Sequence, residues 1–211
     1  MKWRPSSSVT LPSPGFIEPC IPTAVKRAPT SADWVYELKM DGYRLMVGKS
    51  GPDVRIYSRR GADFTRRFPR LVDAVRRLRA TSALLDGEGI VYDQRGMPDF
   101  NLIHSKEYDR EVSLVAFDLL EKDGEDLRPL RLEERKGRLQ YLVSKVRDGI
   151  EFSEHIEGDG ADIFQAACRL GHEGIVAKRK DLPYESGRSK RWLKIKNPSS
   201  PAAKRIEDGA F

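Results

Sequence analysis

The sequence predicts an α+β domain of antiparallel sheets flanked by helices, and two kinds of pattern support this prediction. Short runs of alternating or continuous apolar residues dominate the chain, and such runs are typical of strands. Only three segments carry apolar residues at the three- and four-residue spacing of a helix face. The order of these elements along the chain favours antiparallel sheets.

The N-terminal part of the chain changes character near residue 31. The first thirty residues are rich in proline, serine and threonine and lack a steady period, so residues 1–30 are expected to form an extended arm packed on the core. The W-V-Y-E-L run at residues 34–38 alternates between two faces, which predicts a strand. Further strand-like runs follow at residues 44–47 and 54–57.

The middle of the chain contains two helix-like and two strand-like stretches. A helix is expected to begin near Pro69, because proline suits the first helical turn and apolar residues follow at helical spacing. Two apolar, β-prone runs come next, at residues 84–92 and 112–120, and D-G-E-G at 86–89 interrupts the first of them. A second helix is expected after the turn at Pro129.

The last part of the chain predicts one more helix and two strands. Residues 159–170 fit a helix that Asp159 caps at the N-terminus and Gly171 ends. Strands are expected at residues 174–179 and 192–196, on either side of a turn-rich stretch.

The composition argues against a membrane span and favours a polyanionic partner. Hydrophobic residues make up 39% of the 211 residues, and no run approaches the roughly eighteen apolar residues that a span needs. The net charge of +6 favours nucleic acid, although the paired arginines could also form a solvated helix surface. Cys20 and Cys168 fit no metal spacing, so free thiols in a reducing, cytoplasmic compartment are expected.

The segment most informative about chemistry is K-M-D-G-Y-R at residues 39–44, where the first predicted strand ends. Alone it could be a surface lysine beside an Asp-Gly turn. Further short motifs lie at predicted strands or strand ends: S-R-R-G at 58–61, L-D-G-E at 85–88, A-F-D-L-L at 116–120, E-G-I-V-A-K at 173–178 and W-L-K-I-K at 192–196. Their combination and order are hard to assign to chance.

These motifs resemble those of the covalent nucleotidyltransferases, and among them the adenylation domain of ATP-dependent DNA ligases. Residues 66–69, 153–160 and 184–189 further resemble the ligase domain of bacterial LigD. The resemblance implies the nucleotidyltransferase (ATP-grasp-like) fold, a covalent lysyl-AMP formed from ATP, and DNA as the substrate. Arg44 favours ATP over NAD, because the NAD-dependent ligases lack an arginine at this position.

The resemblance implies that Lys39 is the nucleophile that attacks the α-phosphate of ATP. A free lysine has a pKa near 10.4, so its amine must be activated by loss of solvent or by nearby positive charge. Lys194 and Lys196 fit this need, because alternation along a strand points both side chains to the same face. The alternative is an ordinary half-solvated strand with Ile195 in the core.

The resemblance also implies how the nucleotide is held. Phe117 would stack on adenine, although its apolar neighbours are equally compatible with a core phenylalanine. Glu88 would bind the ribose hydroxyls, and Glu37 would help to define the adenine end of the pocket. The sugar and phosphate oxygens would be contacted by Arg44, Arg59 and Lys178.

A divalent metal ion and a DNA substrate complete the expected site. Glu173 is the best candidate for a Mg²⁺ or Mn²⁺ contact, because hard cations take one or two carboxylates together with phosphate oxygens. Double-stranded DNA with nicks or ends is the expected partner, and Ku or another repair protein is a candidate second partner. The protein is expected to be a monomer that associates with the nucleoid.

The sequence predicts one domain at residues 31–197 and a tail at residues 198–211. Ligases of this family continue into an OB-fold of about a hundred residues, whereas fifteen residues follow Lys196 here. We therefore expect a minimal, OB-less ligase. The alternatives are a module that binds AMP or a DNA end with little turnover, and a ligase that acts on RNA ends.

Overall fold

The computed structural model describes residues 15–146, 148–200 and 203, and it has the predicted α+β class. The strands are β1 (Cys20–Ala24), β2 (Trp34–Leu38), β3 (Tyr43–Ser50), β4 (Asp53–Ser58), β5 (Ser82–Ile90), β6 (Ser113–Lys122), β7 (Glu125–Asp126), β8 (Ile150–Phe152), β9 (Gly174–Arg179) and β10 (Gly187–Lys196). The helices are α1 (Pro69–Arg76), α2 (Phe100–Ser105), α3 (Leu132–Val143) and α4 (Gly160–Arg169).

Two sheets organise the molecule. The first has the strand order β1-β10-β9-β2, and the second has the order β4-β3-β5-β6-β7, with β8 paired to β6. Most neighbours are antiparallel, as predicted, but β1 pairs with β10 and β8 pairs with β6 in parallel. The sheets are therefore mixed, because these two short strands are supplied by segments distant in sequence from their partners.

Several predicted elements are confirmed. Strand β2 has the predicted bounds, and Pro69 is the first residue of α1. Asp159 caps α4, since its side chain accepts hydrogen bonds from the backbone of Ala161 and Asp162. Gly171 follows the end of α4 with a positive φ of 82°, a conformation that glycine adopts without steric cost.

The β-prone run predicted at residues 84–92 is confirmed as a strand, although D-G-E-G interrupts its apolar pattern. Strand β5 runs unbroken through D-G-E-G and pairs with β3 on one side and β6 on the other. Its glycines mark tight packing: a Cβ at Gly87 would lie 2.7 Å from Leu114 Cδ1, and one at Gly89 would lie 2.5 Å from Leu45 Cδ1.

One segment of the predicted arm forms a strand, and three short elements were not predicted. Within the predicted arm, residues 20–24 form β1 of the first sheet, whereas residues 1–14 lie outside the described residues. Of the predicted tail, the structure describes residues 198–200 and 203. The pattern also missed α2, β7 and β8, which are too short to show a clear period.

The main core lies on one face of the second sheet, beneath α1 and α3. Aliphatic side chains from both helices pack against the central strands, and fully buried members include Leu45, Ile56, Leu71, Val75, Leu85, Leu114 and Leu139. A smaller cluster around Tyr36, Ile175 and Ile195 packs the first sheet against α4. In the part of the chain that the structure describes, no helix is long and apolar enough to cross a membrane.

Helix α3 joins the two sheets. Its first two backbone amides, those of Leu132 and Glu133, donate to carbonyl oxygens in the turn after β9. Arg135, which has no exposed surface, makes a two-pronged ion pair with Asp118 on β6 at 2.7 and 2.8 Å. Because removing one partner of such a pair would leave an uncompensated buried charge, α3 is held firmly between the sheets.

Candidate active site between the two sheets

A cavity of about 530 Å³ opens between the two sheets, a size suited to a small-molecule ligand. Eight of the ten predicted site residues line it: Glu37, Lys39, Arg44, Arg59, Glu88, Phe117, Lys178 and Lys194. The structure thus brings together side chains from six strands and two loops that are scattered over more than 150 positions of the sequence.

Lys39 lies directly after β2, at one boundary of this cavity. Its backbone amide donates to the Gly174 carbonyl oxygen at 3.0 Å, which ties the end of β2 to β9. Its Nζ donates to Glu173 Oε2 at 2.5 Å, and both side chains are largely shielded from solvent. Lys39 and Glu173 also line a second cavity of about 400 Å³. The predicted nucleophile therefore stands between two cavities and pairs with the predicted metal contact.

The carboxylates near Lys39 suit a divalent cation that is held mainly by substrate oxygens. Glu173 and Asp41 line the second cavity together. Among the described residues, no group of three or more His, Cys, Asp or Glu side chains could hold a metal ion alone. Mg²⁺ is commonly bound by one or two carboxylates with phosphate oxygens and water, so this donor set fits a metal that arrives with a nucleotide.

Lys194 and Lys196, both on β10, occupy different positions around the site. In the β9–β10 register, Lys194 lies opposite Val176 and Lys196 opposite Gly174. Lys194 lines the main cavity, and burial lowers the pKa of its ammonium group, as do the positive charges of Lys196, Lys39 and Arg59. Lys196 contributes to this electrostatic field without lining the cavity wall.

A buried carboxylate with cationic partners forms part of the cavity wall. Glu37 is 3% exposed, and its oxygens accept hydrogen bonds from Lys136 at 2.7 Å, Ser153 Oγ at 2.9 Å and Lys178 at 2.9 Å. Lys178, which was expected near phosphate, lies 4.1 Å from the ring centres of Phe117 and Trp192. The structure therefore places Lys178 at the aromatic end of the cavity.

Phe117 serves both as a core residue and as a cavity wall. It is 9% exposed and packs edge-on against Trp192, with 5.8 Å between ring centres. The guanidinium carbon of Arg44 lies 4.4 Å from its ring centre, a cation–π distance. The two interpretations of this residue in the sequence, core and stacking ring, are compatible in the structure.

Arg44 is oriented by partners that the sequence did not identify. Its Nε and Nη2 donate to the two carboxylate oxygens of Asp86 at 2.5 and 2.7 Å, and Nη2 also reaches the Cys20 carbonyl oxygen. Tyr184 donates its hydroxyl to Asp86 Oδ2 at 2.7 Å and accepts from the Cys20 amide. The D of L-D-G-E could have indicated Asp86, and Tyr184 begins the stretch 184–189 that resembles LigD, but neither residue was assigned a role.

Arg59 and Glu88 complete the cavity. Arg59 follows β4 and is exposed, so it stands at the mouth beside Ser58 and Arg60. Glu88 lies opposite Arg44 in the β3–β5 register. Burial raises the pKa of Glu88 from 4.5 to about 7; Lys39 and Arg44 oppose this shift, and the charge of Glu173 adds to it.

The raised pKa of Glu88 predicts a pH-dependent effect on stability. A folded-state pKa above the unfolded value means that the folded protein resists ionisation, so stability falls as the pH rises from 4.5 to about 7. Below pH 4.5 we expect Glu88→Gln to have nearly the same free energy of unfolding as the wild-type protein. Above pH 7 we expect the variant to gain stability relative to the wild-type protein. Urea unfolding at several pH values measures this difference, with Glu107→Gln at an exposed position as the control. A difference that does not grow with pH would contradict the prediction.

Gly42, within K-M-D-G-Y-R, is required for close packing. A Cβ at this position would lie 2.2 Å from the backbone oxygen of Gly89 on β5. We expect Gly42→Ala to lower the free energy of unfolding by about 1–3 kcal/mol, because β3 and β5 must move apart. Gly137→Ala, a change within α3, is the matched control, because a Cβ at this position would have no atom within 4 Å. Since alanine favours the helix over glycine, this variant should raise the free energy of unfolding by about 0.5–1 kcal/mol. Equal stability of the two variants in urea would refute this explanation.

Comparisons with known proteins agree with this geometry. Residues 19–196 match the model of the ATP dependent DNA ligase domain. The multifunctional non-homologous end joining protein LigD of Pseudomonas aeruginosa is 39% identical over 197 residues, which cover 92% of this chain. The corresponding DNA repair protein LigD of Mycobacterium tuberculosis strain H37Rv is 36% identical over 168 residues, or 79% of the chain. Both relatives are named for DNA end joining.

A solved structure extends the likeness to the fold. The ligase domain of M. tuberculosis LigD superposes with a TM-score of 0.75 and 34% sequence identity, over 84% of this chain and 60% of that one. This chain spans less than a quarter of the length of the two curated relatives, 23% and 22%. The expected nucleotidyltransferase fold is confirmed, the chain is similar to the ligase domains of LigD, and it belongs to the ATP-dependent DNA ligase domain family.

Proposed function

We propose that this chain acts as the catalytic core of an ATP-dependent DNA ligase, with Lys39 as the residue that carries the adenylate. The observation that supports this most directly is the position of Lys39. It lies at the edge of a 530 Å³ cavity that Arg44, Glu88, Phe117 and Lys194 also line. This cavity combines an aromatic ring, forked donors and ammonium groups, which suit a base, a sugar and phosphates respectively.

The proposed first step is displacement at the α-phosphorus of ATP. Lys39 first gives one ammonium proton to solvent. The Nζ lone pair then forms a P–N bond, the P–O bond to pyrophosphate breaks, pyrophosphate leaves with the electron pair, and the nitrogen gives a second proton to solvent. Lys39 Nζ donates to Glu173 Oε2 at 2.5 Å. A neutral amine has two N–H donors beside its lone pair, so this hydrogen bond can persist while the lone pair attacks the α-phosphorus.

Lys194 and Glu173 would assist this step in different ways. The ammonium group of Lys194 would neutralise charge that develops on the phosphate oxygens in the transition state. Glu173, with Asp41, would hold Mg²⁺ or Mn²⁺ with the phosphates. When bound, the metal ion would supply a Lewis acid that polarises the phosphate oxygens.

The second and third steps would use the same site on DNA. A DNA 5′-phosphate oxygen attacks the phosphorus of the adenylate, and Lys39 leaves with its electron pair. A 3′-hydroxyl then attacks the 5′-phosphorus, which forms the phosphodiester bond and releases AMP. The relatives are named for non-homologous end joining, so nicks or ends in double-stranded DNA in the cytoplasm are the proposed substrate, with Ku as a proposed partner.

The proposal is tested by the position of a radioactive label. The protein is incubated with Mg²⁺ and ATP labelled at either the α- or the γ-phosphate, denatured, and digested for mass spectrometry. We expect the α-label, and not the γ-label, to stay on the peptide that contains Lys39. Transfer is then compared on nicked DNA and nicked RNA that carry a 5′-adenylate. Reversible ATP binding without any covalent label would reject the catalytic proposal.

A further inference from the structure

Lys136 contacts the site although it belongs to none of the sequence motifs. It projects from α3 and is 2% exposed. Its Nζ donates to Glu37 Oε1 at 2.7 Å and to the Ser153 carbonyl oxygen at 2.9 Å, and it lies 4.5 Å from the centre of the Phe152 ring. Because a buried ammonium group is unfavourable without such partners, the position of Lys136 is closely tied to that of Glu37.

Glu37 has more cationic partners than charge balance requires. Lys178 alone would neutralise its carboxylate, and Lys136 adds a second ammonium group on the other carboxylate oxygen. Burial raises the pKa of Glu37, but the attraction of Lys178 and Lys136 outweighs burial and lowers it. The cluster therefore keeps an ionised carboxylate at the cavity wall.

This carboxylate retains the capacity to accept another hydrogen bond. An ionised carboxylate has about four acceptor positions. Lys136, Lys178 and Ser153 supply three hydrogen bonds from the described residues. Glu37 and Phe117 line the same cavity, and Lys178 contacts both of them. A base that stacks on Phe117 and carries an amino group would satisfy the remaining acceptor, whereas a carbonyl oxygen in its place would be repelled.

We propose that Lys136 is a positioning residue for base selection. It fixes Glu37 in the orientation that accepts the amino group of adenine, so that ATP is preferred over a triphosphate without that group. The inference rests on the proposed function, because it takes ATP as the substrate. Lys136 acts through Glu37. Because Lys136 lies on α3, the helix that joins the two sheets also influences which nucleotide binds.

The test compares the binding of ATP with that of purine riboside triphosphate, which has hydrogen in place of the amino group. We expect calorimetry to show that the wild-type protein prefers ATP by about 10- to 100-fold, the scale of a hydrogen bond to a charged group. Lys136→Met should reduce this preference to below about threefold by weakening ATP alone. Lys136→Gln, which keeps an N–H donor, should retain part of it.

Two further variants separate base selection from stability. Lys49→Met removes another buried lysine, which donates to the Arg76 and Leu78 carbonyl oxygens away from the cavity, so it should lower stability and leave the preference intact. Ser153→Ala removes the hydroxyl that donates to Glu37 and keeps both lysines, so it should reduce the preference. Ser153→Ala also provides the test if Lys136→Met does not fold.

Binding does not require transfer of the adenylate, so the two proposals can fail separately. A wild-type protein that forms no lysyl adenylate and still prefers ATP would reject the catalytic proposal and support base selection. Equal weakening of both nucleotides in Lys136→Met would show that Lys136 only stabilises the fold. That result, or a wild-type preference near one, would overturn the inference.

Discussion

Lys39→Arg is expected to abolish formation of the covalent adenylate, with a fall in rate of at least about 10⁴-fold, as for the loss of other catalytic nucleophiles. Arginine remains protonated in proteins and therefore offers no lone pair to phosphorus. It keeps the positive charge that pairs with Glu173, so the cavity should keep its shape. Single-turnover labelling with α-labelled ATP measures the rate.

The matched control for this variant is Lys145→Ala, a change at an exposed lysine just after α3. It should leave the labelling rate unchanged, and Lys39→Arg should still bind ATP in calorimetry. If Lys39→Arg were labelled at a rate within about 100-fold of the wild-type protein, another residue would have to be the nucleophile.

Lys194→Met is expected to slow adenylate formation by about 10²- to 10³-fold, the scale for removal of one preorganised charge at a reacting centre. Lys194 lines the cavity, where it faces the same space as Lys39 and Arg59. Because the phosphate gains charge in the transition state, the loss should fall on kcat more than on KM. Lys194→Arg keeps the charge and should retain much of the activity.

Lys190→Met is the control, since it makes the same change at an exposed position on the same strand, β10. It should have no more than about a twofold effect on the rate of adenylate formation, as expected for a solvated charge away from the reacting atoms. If Lys194→Met weakened ATP binding as much as it slowed the reaction, Lys194 would bind the ground state and contribute little to catalysis.

The site depends on the connection between the two sheets. Lys39 and Lys194 belong to the first sheet or its loops, whereas Arg44, Glu88 and Phe117 belong to the second. Helix α3 spans both layers through the Arg135–Asp118 and Lys136–Glu37 ion pairs. The relative position of nucleophile and base pocket is therefore set by buried charge pairs as well as by apolar packing.

Local sequence patterns were sufficient for the framework and for most of the site. The alternation at residues 34–38 specifies β2, because one face of a strand is buried and the side-chain period is two. Lys39, Phe117 and Lys194 were proposed as site residues because their motifs resemble those of the ligase family, and these motifs lie after β2, on β6 and on β10. Strand alternation and short motifs involve residues that are adjacent in the chain, so they can be recognised in the sequence.

The tertiary structure decided which residues distant in sequence become interaction partners of each site residue. D-G-E-G interrupts the apolar pattern at residues 86–89, and pairing on both edges keeps β5 continuous through it. Lys136 reads as an ordinary helix lysine, yet it is buried against Glu37, which lies 99 residues earlier. Burial of a charge is favourable only where opposite charges and hydrogen-bond partners meet, and chain folding brings them together. For that reason, the polar network behind the base pocket could be recognised only in three dimensions.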